Sequence, residues 1–165
     1  MRKLLLILSL LPTTACTATS SSPKPTPTPV PTVAAPTSTG ALGCAAGSIH
    51  AGPPPAWTNS ANPPAGMRWV AGENGFVVGM LFTDPPKTGQ TDKILWIVKT
   101  PRDGSPLRIR GTVSTLQGVV DFTPVPPDSE PGEIYPWTFT APQPGCWRLA
   151  LSWGAVQDVV AVPLT

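Results

Sequence analysis

Cys146-Trp147-Arg148-Leu149-Ala150-Leu151-Ser152-Trp153 decides the fold. Trp147, Leu149, Leu151 and Trp153 are large and apolar; Cys146, Arg148, Ala150 and Ser152 are small or polar. Successive side chains of an extended chain point to opposite sides, so a period of two gathers the first four on one face. That pattern marks a strand with one face in a core and the other towards water. Leu107-Arg108-Ile109-Arg110-Gly111-Thr112-Val113 repeats it: Leu107, Ile109 and Val113 face inward, while Arg108, Arg110 and Thr112 face outward. Two other runs, Phe76-Val77-Val78-Gly79-Met80-Leu81-Phe82 and Ile94-Leu95-Trp96-Ile97-Val98, are apolar throughout, as expected of strands covered on both sides.

Turn signals separate these runs at intervals of roughly ten residues. Gly72-Glu73-Asn74-Gly75, Asp84-Pro85-Pro86, Asp103-Gly104 and Gln117-Gly118 each end one run and open another. Shorter strands are predicted over 67–71, 119–122 and 134–140, with Tyr135-Pro136 assigning the last to a sheet edge. Residues 124–132 form a proline-rich acidic loop, and 158–164 supply the closing strand. Seven or eight short strands without a helix predict an all-β fold, a single antiparallel β-sandwich. Proline supports this: 24 of 165 residues, nearly three times the usual share of about 5%. Proline at that density excludes a coiled coil or a helical bundle.

The segment Ala141-Pro-Gln-Pro-Gly-Cys-Trp-Arg-Leu-Ala-Leu151, a short turn and then Asp158-Val-Val-Ala-Val162 resembles the last two strands of bacterial immunoglobulin-like domains. With Lys93-Ile-Leu-Trp96 and Pro131-Gly-Glu-Ile-Tyr-Pro136, the chain looks like a group of uncharacterised bacterial lipoproteins. The resemblance implies an immunoglobulin-like sandwich and carries no activity with it, since that fold serves adhesion, binding and spacing alike.

The N-terminus reads as an export signal. Arg2 and Lys3 precede an apolar run of eight residues, 4–11. As a helix that run spans only about 12 Å, well short of a bilayer core, and suits a signal-peptide h-region. Leu11-Pro12-Thr13-Thr14-Ala15-Cys16 resembles a bacterial lipoprotein signal, which implies cleavage after Ala15 and lipidation of Cys16. Thr13 departs from the usual Leu of that pattern; the alternative is an ordinary signal peptide that leaves a free thiol. The expected organisation is a signal peptide over 1–15, a lipidated Cys and disordered linker over 16–41, and a sandwich domain over 42–165. Within the domain, residues 42–66, punctuated by Pro53, Pro54, Pro55, Pro63 and Pro64, are expected to be largely irregular. In 17–41, 17 of 25 residues are Pro, Thr or Ser, a composition with too little apolar surface to fold. It suits a semi-rigid stalk on the order of 75 Å long.

Loss of the signal removes two of the 11 basic residues, so nine remain against nine acids. A formally neutral mature chain has no electrostatic claim on nucleic acid. The expected partners are a membrane, through the N-terminal lipid, and a cell-envelope polymer or protein, with the protein lipid-anchored outside the cytoplasm. Three cysteines are an odd number for an exported chain. Lipidation of Cys16 leaves Cys44 and Cys146, for which a disulfide is expected; two buried thiols are the alternative, and a metal site is a weaker third for want of CxxC or CxH spacing.

Site chemistry is sparse. His50 is the lone histidine and no G-x-S-x-G motif is present, so neither a catalytic triad nor a catalytic residue is assigned. His50, Met67 and Met80 could supply copper donors, but Met80 lies in an apolar run and reads as core, and no metal or other cofactor is expected. Asp128, Glu130 and Glu133 lack the spacing of a calcium loop. Of the six Trp, Trp96, Trp147 and Trp153 read as core and Trp69 as ambiguous. Trp57 and Trp137 are the candidates for exposed, ligand-contacting aromatics. Arg108 and Arg110, joined by Arg148 if their strands are neighbours, are candidates for contacting a phosphate or carboxylate. The expected function is a binding or structural module rather than an enzyme. The alternative is an extracytoplasmic hydrolase built on two facing carboxylates.

Overall fold

The protein's structure, a computed structural model, describes Cys44 and residues 48–165. Cys16, the signal segment and the linker over 16–41 lie outside the described residues. Eight strands run β1 (Arg68–Ala71), β2 (Val77–Leu81), β3 (Asp92–Val98), β4 (Arg108–Val113), β5 (Val120–Asp121), β6 (Ile134–Phe139), β7 (Gly145–Trp153) and β8 (Val156–Leu164). They form two four-stranded antiparallel sheets, ordered β1-β2-β3-β6 and β5-β4-β7-β8. The chain is an all-β sandwich, as the alternating patterns require.

Side-chain parity builds the core between the sheets. Ile109 and Val113 of β4, Trp147, Leu149, Leu151 and Trp153 of β7, and Val160, Val162 and Leu164 of β8 point inward. They meet Val77 and Leu81 of β2, Ile94, Trp96 and Val98 of β3, and Tyr135, Trp137 and Phe139 of β6. Gly79 stands on the inward row of β2 because the Trp96 ring occupies the space a Cβ would need. Gly111 on β4 makes the same allowance for Trp147, whose Cε3 would lie 2.7 Å from an added Cβ.

The first sheet also has an apolar outer face, and the chain covers it itself. Val78 and Met80 of β2, Ile97 of β3 and Ile134 of β6 point outward into a second cluster with Ala61, flanked by Trp57, Met67, Trp69 and Leu95. This explains why all five residues of β2 are buried. The cover comes from residues 48–67, which hold a short 3-10 helix at Ala56–Ala61 where the sequence suggested only irregular chain. Its start is fixed by Thr58, whose backbone N–H and hydroxyl both donate to the Pro55 carbonyl. His50 pairs with Trp69 of β1 through two backbone hydrogen bonds, and the two rings stack at 4.3 Å. Cys44 is joined to Cys146 at the start of β7, with Cα atoms 4.9 Å apart, inside the range a disulfide requires.

Three polar side chains lock the loops. Asp158, 1% exposed, accepts hydrogen bonds from the backbone N–H groups of Asn74, Phe76 and Val159 and pins the 72–76 turn against β8. The carboxylate of buried Asp92 receives the N–H groups of Lys87 and Lys93. Arg102 donates to the carbonyls of Pro127, Gly132 and Ile134 and to the Glu133 carboxylate, which also receives the Arg102 backbone N–H. Among the described residues no helix is long and apolar enough to cross a membrane.

Candidate functional site

Among the described residues, the outer face of the second sheet has no such cover. In the register β4–β7, Arg110 lies opposite Ala150 and Thr112 opposite Arg148, so Arg110 and Arg148 are diagonal neighbours on one face. Arg108, two residues along β4, lies opposite Ser152 on the same face. The neighbouring β8 contributes Val159, opposite Ala150. The side chains of Arg110 and Arg148 are 61% and 57% exposed, so both project into solvent rather than lie down on the sheet.

Two shallow hollows mark this face. One of about 220 Å³ is lined by Arg110, Thr112, Val119, Arg148, Ala150 and Val159. The other, about 340 Å³, shares Arg110, Ala150 and Val159 and adds the polar groups of Asn74, Ser152 and Gln157. The shared residues make them one trough across β4, β7 and β8, with small aliphatic side chains in its floor. Arg110 Nε contacts Asp121 Oδ1 at 2.8 Å, and Arg148 Nη1 contacts Glu73 Oε1 at 2.7 Å. Among the described residues Arg108 forms no ion pair. The face therefore exposes three cations against two anions, while Asp158, buried and held by backbone N–H groups, also lines the second hollow.

The sequence-predicted residues divide. Arg108, Arg110 and Arg148 are brought together on one open face. Trp137 is not exposed: it is 3% accessible, stacks on Phe139 at 4.0 Å and meets Phe122 edge-on at 5.0 Å in the core. Its parity with Tyr135 and Phe139 turns it inward, whatever Pro136 does at the backbone. Trp57 is half-buried against the outer cluster of the first sheet and acts as part of the cover. Trp69 lies on the same face under His50, and its Nε1 donates to the Gly52 carbonyl. Met80 is fully buried, and Met67 packs against the same outer cluster.

Seven of the nine acids are engaged in structure. Asp84 pairs with Arg68 at 3.0 Å, Glu133 with Arg102, Glu73 with Arg148 and Asp121 with Arg110. Asp92 and Asp158 are held by backbone N–H groups. The hydroxyl and backbone N–H of Ser105 hold the Asp103 carboxyl below its ordinary range. Among the described residues, no three His, Cys, Asp or Glu side chains converge as metal ligands would. Sequence reasoning passed over Val119, Val159 and Gln157, whose place in the trough depends on strand order. No protein-family model, curated protein or solved structure matches this chain.

Proposed function

We propose that the chain is a lipid-anchored protein of the bacterial cell envelope that presents its β-sandwich on a proline-rich stalk as a binding module. The outer face of the second sheet is its working surface. One observation carries the reading: the first sheet is capped by the chain's own residues 48–67, while the opposite face stays open among the described residues and carries Arg108, Arg110 and Arg148. The strand order is compatible with an immunoglobulin-like Greek key, since β4-β7-β8 facing β2-β3-β6 has the connectivity of C-F-G facing A-B-E. The disulfide suits an oxidising compartment. The carboxylates favour a binder over a hydrolase, because seven of them already hold cations or backbone groups in place.

The test is co-sedimentation of the soluble Cys16→Ser chain with isolated bacterial envelopes. Saturable binding is expected, weakened at least tenfold in the Arg110→Glu/Arg148→Glu variant. Binding that ignores this charge reversal, or no binding, contradicts the reading.

A further inference from the structure

We infer that the trough on the second sheet takes the carboxy-terminal end of a short peptide with small aliphatic side chains. The inference deepens the binding-module reading and rests on it. Its first support is charge and geometry. A guanidinium forks onto a carboxylate with two parallel N–H donors, a match a lysine cannot make. Arg110 spends only its Nε on Asp121, so its terminal nitrogens have no partner among the described residues. Arg148 stands diagonally across the same hollow. The pairs with Asp121 and Glu73 are more than half exposed, so water already competes for them, although Glu73 takes both terminal nitrogens of Arg148, at 2.7 and 3.3 Å. An incoming carboxylate can therefore share or displace them.

The second support is the floor. Ala150 and Thr112 fill the other two corners of the square that the arginines make, with Val159 beside Ala150 on β8 and Val119 beside Thr112 on the β5 side. A bare inorganic anion would gain nothing from this apolar surface, whereas a methyl or similar side chain beside the carboxylate would cover it. The volume of about 220 Å³ is below the roughly 300–1,000 Å³ of drug-sized sites, so it suits a small end group rather than a large ring system. The third support is the continuation of the trough. Asn74, Ser152 and Gln157 line the adjoining hollow and offer both donors and acceptors, as a peptide amide needs. Carboxylate, aliphatic side chain and amide thus meet arginine pair, apolar floor and polar side chains in that order.

The test is a titration of the soluble Cys16→Ser chain with N-acetyl-Ala-Ala, followed by calorimetry or by amide shifts. Parallel arms use its C-terminal carboxamide and inorganic phosphate. Saturable binding of the acid is expected, at least tenfold tighter than either comparator. The Arg110→Gln/Arg148→Gln variant should lose it, and Arg68→Gln, on the other sheet, should keep it. Equal binding of the carboxamide or phosphate overturns the inference, as does absence of binding. If charge reversal still weakens envelope binding while the dipeptide fails, the ligand class is wrong and the working face stands. If envelope binding is itself absent or indifferent to charge reversal, the binding reading falls with it.

Discussion

Three carbonyl oxygens, from Pro127, Gly132 and Ile134, converge on the Arg102 guanidinium, with the Glu133 carboxylate 3.1 Å from its Nε. Its side chain is only 13% exposed, so water cannot take over these bonds if it is removed. Arg102→Met should therefore cost about 2–4 kcal/mol, measured by urea unfolding. A loss under about 1 kcal/mol would show that the loop does not depend on it. The Tyr135 phenol lies beside this group and donates to the Ser105 carbonyl at 2.9 Å. Burial pushes its pKa above the ordinary value, against the opposing pull of Arg102. The unfolded chain thus ionises first as pH rises. The stabilisation is whole below about pH 10 and is lost as pH climbs through the raised folded value. Unfolding measured from pH 8 upward should show the native protein weakening past pH 10 more steeply than Tyr135→Phe. Parallel curves would refute this. Arg102 was invisible in the sequence because its carbonyl partners are 25–32 residues away and carry no side-chain signature.

At the scale of the elements, β4 and β7 were plain in the sequence because one wet face imposes strict alternation. β2 and β3 were plain as apolar runs, yet the sequence could not say what covered their second face. The cover, residues 48–67, has few large apolar groups: Trp57 and Met67 pack on the outer cluster with small Ala61, and Ile49 reaches the inter-sheet core. Periodicity finds no purchase there. Trp137 shows the opposite case: Pro136 marked β6 as an edge strand, which it is, but the alternation of Tyr135, Trp137 and Phe139 turns the ring into the core rather than into solvent. The Cys44–Cys146 bond ties the start of the cover to β7 and closes a separation of 102 residues. Replacing both cysteines by Ser should lower stability by up to about 4–5 kcal/mol on the chain-entropy view. Hydrogen exchange should accelerate first at the His50–Trp69 pairing and in the Ala56–Ala61 turn, before the central strands. Uniform acceleration across both sheets would contradict a local restraint. Within β2, Gly79→Ala pushes a methyl into the Trp96 ring and should cost about 1–3 kcal/mol by thermal unfolding. A neutral result would mean the ring has room to move.

Across the whole molecule, the two sheets differ in their outer faces. One is sealed by residues 48–67, and the other, among the described residues, is left free with its arginines outward. Arginines at 108 and 110 were readable as an outward row, but their meeting with Arg148, Val119 and Val159 required the order β5-β4-β7-β8. Such a surface acts in the envelope only if the chain is held there, and the proposal places that attachment at Cys16. The most direct measurement is fractionation of cells fed labelled palmitate and producing the full chain or its Cys16→Ser variant. The native chain should carry label and sediment with membranes, and the variant should be unlabelled and soluble. A variant that remains membrane-bound to the same degree would contradict the account.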